Sequence, residues 1–342
     1  MTYYAHLGVS DIEGPLARLL EPPFRVIKYI PGAGGLVAFG EDGPPLLWEA
    51  VAAMGYPAAY YWDEKRRSYK ITAEGTEPAR KLKPGRNREV LRRLRRKAKW
   101  AASDKRLCEG VAEPAVISDG RVPFFWRYKR FIYVKPGRKR PYRYSLRTAH
   151  GTGEYPLVVY LHGAGGFGID GGKAVREAAP LLPFRRCHVL VPQTGLGDPY
   201  AGEVSEDLSE VIASLPGVDR SRIYLMGTSM GGCGAVIECR RHPKRYAACV
   251  TSVAWLQNLD ASEEDEYQRP LDEKAFDALA QTPLWLGYGR DEQYVNEPLY
   301  EALKERGADV KCTYFKSFGH GPAGGVFWLT QPWAKWMFSR HK

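Results

Sequence analysis

The chain of 342 residues is short of several things. It has no apolar run near the ~18 residues that a membrane span needs. Its first residues, MTYYAHLGVSDIEG, carry neither a basic start nor an apolar core, so no export signal is expected. The six cysteines, Cys108, Cys187, Cys233, Cys239, Cys249 and Cys312, include no CxxC pair. They therefore read as reduced thiols rather than a disulfide framework, and the expected compartment is the cytoplasm. Internal repeats and low-complexity linkers are missing as well, which excludes solenoids and collagen-like chains. With 44% hydrophobic residues the chain is long enough for a large core and for two domains.

What is present is unevenly charged. The net charge is +11, but residues 1–150 carry 30 Lys/Arg against 15 Asp/Glu, whereas residues 151–342 carry 20 against 24. A basic N-terminal region, residues 1–115, is set apart from a second domain, residues 116–342, with a transition near 108–120. Residues 80–106 hold 13 Lys/Arg and two acids, and residues 121–147 hold ten Lys/Arg and no acid. The spacing of Val90, Leu91, Leu94, Ala98 and Ala101 predicts a helix over residues 87–104 with Trp100 among its basic positions. Such a face can meet phosphates or an anionic surface, but a solvated or docking face is favoured, and no zinc-finger, homeodomain or RNA-recognition signature accompanies it. No nucleic-acid partner is expected, and oligomeric state is not legible.

The second half alternates apolar runs of strand length with helical stretches. The runs are 156–162, 187–192, 222–227, 246–254, 283–289 and 310–316, nearly all apolar as in a parallel sheet buried on both faces. Helices are predicted over 202–216, 230–241, 272–281, 296–307 and 325–339, with Asn296 as N-cap and Gly307 as C-cap of the fourth. Residues 130–136 and 141–148 form an antiparallel lead-in. The fold class expected from this alternation is α/β: a mostly parallel sheet flanked by crossover helices.

Three features carry chemistry. Gly227-Thr228-Ser229-Met230-Gly231 is a G-x-S-x-G match after a strand and before a helix, where a sharp turn exposes the serine hydroxyl. Asp291 follows the strand at 283–289, and His320 follows the last strand between two glycines. Serine is a poor nucleophile until an imidazole takes its proton, and a carboxylate fixes the imidazole tautomer. Ser229, Asp291 and His320 stand in that order, each after a strand end; Asp260 and the acidic run 262–266 are the rival acids. The Gly-rich loop at 162–168 also supplies candidate oxyanion donors, Ala164 and Gly165, alongside the Met230 N–H. The same loop matches G-x-G-x-x-G, but no acid ends the next strand, so the dinucleotide reading is set aside. His162 is given a structural rather than catalytic role, and with Trp255 it is counted among the substrate-binding positions.

Residues ~130–340 resemble α/β-hydrolases of the polyhydroxybutyrate-depolymerase, feruloyl-esterase and dienelactone-hydrolase-like branch, and the resemblance implies the α/β-hydrolase fold behind antiparallel lead-in strands. They are also similar to the catalytic domain of prolyl-oligopeptidase-type peptidases. The resemblance rests on residues 155–168, 191–193, 218–232, 242–250, 287–295 and 318–321. It implies Ser229 as nucleophile, Asp291 as acid, His320 as base, and Met230 with Gly163–Gly165 as oxyanion donors. It also implies a serine esterase acting on a small-molecule ester through an acyl-enzyme, with no cofactor and no metal. A serine peptidase of prolyl-oligopeptidase-like type shares the machinery, and the alternative of another class is a non-catalytic binding protein on the same scaffold that contacts nucleic acid or an anionic surface through the basic N-terminal region. About 30 residues separate the strands ending near Val253 and starting at Pro283, too few for a large cap. A lid would then come from residues 255–266 or from the N-terminal region.

Overall fold

The computed structural model describes residues 2–7, 14–30, 34–53, 59–72, 79–81, 103–104, 106–138, 140–182, 186–194, 200, 202–254 and 272–342. The helix predicted over 87–104, Trp255, Asp260 and the acidic run 262–266 lie outside or largely outside these residues. The chain divides into two compact units, Met1–Glu109 and Gly110–Lys342.

The first unit is built on an antiparallel sheet of strands β1 (Tyr3–Leu7), β2 (Arg25–Ile30), β3 (Gly34–Phe39), β4 (Ala59–Asp63), β5 (Ser68–Thr72) and β6 (Ala79–Lys81). Their order is β2-β3-β1-β4-β5-β6. Helix α1 (Gly43–Ala52) starts with prolines at its first positions, where no N–H is needed. Leu47 and Ala50 of this helix pack with Tyr3, Phe24, Phe39 and Tyr61. Tyr3 and Tyr61 meet edge to face at 5.3 Å, a favoured aromatic geometry.

The second unit holds the predicted alternation. Strands β7 (Ala115–Val122), β8 (Phe125–Val134) and β9 (Tyr142–Arg147) form an antiparallel lead-in; then follow β10 (Tyr155–Leu161), α2 (Gly172–Ala178), β11 (His188–Gln193) and α3 (Glu203–Ser214). Next come β12 (Val218–Thr228), α4 (Met230–Arg241), β13 (Ala248–Ser252), α5 (Glu273–Leu279) and β14 (Leu284–Gly289). The chain ends with α6 (Gln293–Glu305), β15 (Val310–Phe315), α7 (His320–Thr330) and α8 (Trp333–Phe338). The sheet order is β15-β14-β13-β12-β10-β11-β9-β8-β7, with the six strands from β15 to β11 parallel. This is the α/β-hydrolase fold.

Strand periodicity explains the layers. Leu157, Val159 and Leu161 point to one face, where Leu208, Val211 and Ile212 of α3, Val236 of α4 and Leu299 and Leu303 of α6 cover them. Val158 and Tyr160 point to the other, under Val175 and Ala178 of α2, Phe327 of α7 and Trp336 of α8. Each such buried aliphatic side chain contributes about 1.5–3 kcal/mol as an upper figure.

Two helices differ from the prediction. The segment 325–339 is broken, because Pro332 has no N–H to continue α7, and α8 restarts at Trp333. Helix α6 begins at Gln293, so Asn296 is not its N-cap. Asn296 is buried within the helix and donates through Nδ2 to the carbonyls of Ala254 and Glu292. Among the described residues no helix is long and apolar enough to cross a membrane.

The strand order reverses at β10: the chain leaves it for β11 on one side and later takes up β12 on the other. Crevices form at the carboxyl ends of strands beside such a reversal. The loop 162–168, Ser229, residues 290–292 and His320 all follow strand carboxyl ends.

Candidate active site

Ser229 sits between the last residue of β12 and the first of α4 with φ 55° and ψ −119°, a left-handed φ that a non-glycine residue adopts only under constraint. The constraint is visible. Its N–H donates to the Ser252 carbonyl at 2.8 Å, and its carbonyl accepts from the Cys233 N–H at 3.0 Å. The flanking glycines permit the close passage of strand and helix. A Cβ on Gly231 would lie 2.0 Å from the Leu161 carbonyl oxygen, and one on Gly227 2.1 Å from the Gly231 oxygen.

The turn aims Ser229 at His320, the first residue of α7. Ser229 Oγ lies 2.9 Å from His320 Nε2. On the far side of the ring, Nδ1 lies 2.6 Å from Oε1 of Glu292. Glu292 is fully buried, and its second oxygen accepts the Gly289 N–H at 3.0 Å. A carboxylate accepts only, so Nδ1 carries the proton and Nε2 turns its lone pair to the serine hydroxyl.

Asp291, expected to face the imidazole, does not. Its Oδ2 accepts the backbone N–H of His320 at 2.8 Å, and its other oxygen lies 3.4 Å from Arg290 Nε on the exposed side. The His320 N–H, then Arg290, hold its carboxyl below the usual carboxylate range. The correction has a local cause. After Gly289 the chain turns through a short 3₁₀ segment, Arg290–Glu292, where successive side chains rotate by about 120°. Residue 291 faces solvent and residue 292 faces the core. Two adjacent acids in the sequence were the signal; the direction of the turn was not readable from it.

The loop after β10 closes the other side. Gly163 passes beside the nucleophile, where a Cβ would stand 3.3 Å from the Thr228 carbonyl oxygen and 3.6 Å from Ser229 Cβ. Ala164 and Gly165 are exposed, and Met230 opens α4, so its backbone N–H belongs to the helix N-terminus next to Ser229. His162 does not reach a substrate: it is fully buried. Its Nε2 accepts the Thr194 N–H at 3.2 Å, so Nδ1 donates to the Gly163 carbonyl at 2.6 Å. Burial lowers its pKa to about 4, and the ring is a neutral strut under the loop.

Sequence reading also passed over Glu177. This half-buried side chain of α2 accepts the Gly163 N–H at 2.9 Å and hydrogen-bonds the Tyr160 hydroxyl. Burial raises its pKa, and these two bonds pull it back. Tyr160 Oη lies 2.9 Å from Thr228 Oγ1, which accepts the Trp328 indole N–H at 2.9 Å. Among the described residues, no cluster of three or more His, Cys, Asp and Glu is arranged to hold a metal ion.

An esterase family model matches residues 168–339. No curated protein matches the chain. Among solved structures, a thermostable esterase is 20% identical with a TM-score of 0.52, each chain covered to 63%. The chain thus spans less than two thirds of that esterase's length. An S-formylglutathione hydrolase from Staphylococcus aureus is 14% identical with a TM-score of 0.47, covering 61% of this chain and 98% of its own. A ferulic acid esterase is 16% identical with a TM-score of 0.45, covering 66% and 99%.

Proposed function

From the premise that this chain belongs to the esterase family, we propose that it hydrolyses carboxylic esters of small molecules through an acyl-enzyme on Ser229. The observation that carries the reading is the continuous hydrogen-bond line from Ser229 Oγ through the His320 ring to the buried Glu292.

Each residue has a chemical task. As Ser229 Oγ bonds to the ester carbonyl carbon, His320 Nε2 takes its proton. The imidazolium that forms faces Glu292, whose ionised carboxylate stabilises it without taking the proton. The carbonyl oxygen becomes an oxyanion, met by the Met230 N–H and the N–H groups of Ala164 and Gly165. Collapse breaks the ester C–O bond, and Nε2 returns its proton to the leaving alcohol. A water then repeats the sequence on the acyl-enzyme, with His320 as base, and releases the carboxylic acid. The strained turn at Ser229 holds the hydroxyl in one orientation, so little freedom is lost at the moment of attack.

The test is direct. A fluorophosphonate should label Ser229 alone, and Ser229→Ala should lower kcat for p-nitrophenyl esters by about 10⁵–10⁶ while the melting curve stays in place. Labelling at another residue, or a mutant that keeps its rate, would refute the assignment.

A further inference from the structure

We infer that Glu177 is a positioning residue for the oxyanion side of the site, setting the direction of the Ala164 and Gly165 N–H groups through the bond that it accepts from Gly163. This rests on the ester-hydrolase reading above and adds a residue to it. Glu177 lies outside the Ser229–His320–Glu292 line.

Gly163 lies against the nucleophile turn: a Cβ there would be tight against the Thr228 carbonyl oxygen at 3.3 Å and in contact with Ser229 Cβ at 3.6 Å. Its peptide N–H donates to Oε2 of Glu177 on α2 at 2.9 Å. The same carboxylate brackets the loop: a Cβ on Gly163 would lie 3.8 Å from Oε2, and one on Gly165 3.5 Å from Oε1. With the Gly163 N–H committed to Glu177, the rotation of that peptide is fixed, and so is the start of the next one. The turn is held from its other end by the neutral His162 ring on the Gly163 carbonyl and by the Gly166 N–H, which donates to that carbonyl at 2.9 Å.

The anchor itself is held. Ala174, Val175 and Ala178 fasten α2 to the sheet, so the Glu177 backbone cannot follow the loop. The hydrogen-bond directions form one consistent chain. The Trp328 indole donates to Thr228 Oγ1, Thr228 donates to Tyr160, and Tyr160 donates to Glu177, which accepts from Gly163 as well. That chain links α7, which begins at His320, with the residue before the nucleophile, the floor strand β10 and the oxyanion loop. The carboxylate itself joins β10, through Tyr160, to the oxyanion loop, through Gly163, and neither bond is to the reacting atoms.

The experiment compares Glu177→Ala, Glu177→Gln and wild type. It uses the rate of Ser229 fluorophosphonylation, kcat and KM for p-nitrophenyl acetate, and the affinity of a trifluoromethyl ketone that forms a reversible tetrahedral adduct. Displacing the oxyanion donors should lower kcat and labelling rate in Glu177→Ala by about 10- to 100-fold with KM nearly unchanged. The ketone should weaken by the same factor. Glu177→Gln should stay within about threefold of wild type, because its amide oxygen accepts the Gly163 N–H and the hydroxyls of Tyr160 and Thr228 can reverse. If Glu177→Ala does not fold, Glu177→Asp takes its place: it keeps the charge, withdraws the oxygens by one methylene and should show the same kcat loss. The inference is overturned if the shortened or truncated variant keeps kcat within about twofold, if Glu177→Gln falls as far as Glu177→Ala, or if the loss appears in KM alone. Wild-type labelling of Ser229 reads the hydrolase assignment separately. A labelled, active wild type beside an unaffected Glu177→Ala removes only the role of Glu177.

Discussion

Replacing Glu292 by Gln is the most informative single perturbation of this site. The carboxylate is buried, with one oxygen on His320 Nδ1 at 2.6 Å and the other on the Gly289 N–H at 3.0 Å. A glutamine fills the same space but has one acceptor for two donors. If its oxygen stays on Gly289, its NH₂ faces Nδ1 and forces the proton onto Nε2. The ring then presents N–H to the serine hydroxyl and is no longer a base. If the oxygen turns to the ring, the Gly289 N–H is left facing an N–H₂, and the imidazolium still loses its counter-charge. Converting a triad carboxylate to an amide lowers kcat by about 10⁴, so a loss of about 10³–10⁴ is expected here, or about 4–5.5 kcal/mol of barrier. The neighbour sets the contrast. In Asp291→Asn the amide oxygen can still accept the His320 backbone N–H, and the side chain is exposed, so kcat should stay within about threefold. Both variants would be assayed on p-nitrophenyl acetate, with melting curves to confirm the fold. A Glu292→Gln enzyme within tenfold of wild type, or an Asp291→Asn enzyme silenced by about 10³, would return the acid role to Asp291.

Two further predictions separate the loop from the scaffold. A Cβ on Gly231 would meet the β10 backbone at 2.0 Å, so Gly231→Ala should lose more than about 3 kcal/mol in urea unfolding. Gly163→Ala needs only a few tenths of an ångström beside Thr228 and Ser229 and should melt near wild type, yet lose about tenfold or more in kcat. A Gly163→Ala enzyme with full kcat would show that the loop's approach to Ser229 is not used. Burial holds the pKa of His162 at about 4, below its unfolded value of about 6.5. The unfolded chain therefore binds the extra proton first: this group leaves stability unchanged above about pH 6.5 and removes about 3 kcal/mol between there and pH 4. Urea unfolding across that window should show the slope in wild type and its reduction in His162→Gln; equal slopes would contradict the buried neutral ring.

Much of the hydrolase unit is legible from local pattern because its signals are local. Apolar runs of strand length mark strands covered on both faces, since a parallel sheet has no wet side for a polar residue to occupy. The turn around Ser229 is legible because part of its demand is local: a Cβ on Gly227 would meet Gly231, four residues on, whereas Gly231 is required by the close passage of β10. The antiparallel sheet of residues 1–109 left no comparable mark: its strands are short, and its order brings β1 between β3 and β4 only through pairings distant in sequence. The choice between Asp291 and Glu292 was closed to sequence for a similar reason. Both are acids after a strand, and one residue of rotation in the turn decides which carboxylate enters the core. His162 and Glu177 belong to the same class. Their tasks depend on Thr194 and Gly163, residues brought to them by the packing of loop, strand and α2. Residue type and order determined which chemistries were available in this chain. Only tertiary packing decided which carboxylate the imidazole meets and which holds the loop, because burial and the direction of a hydrogen bond arise when the elements come together.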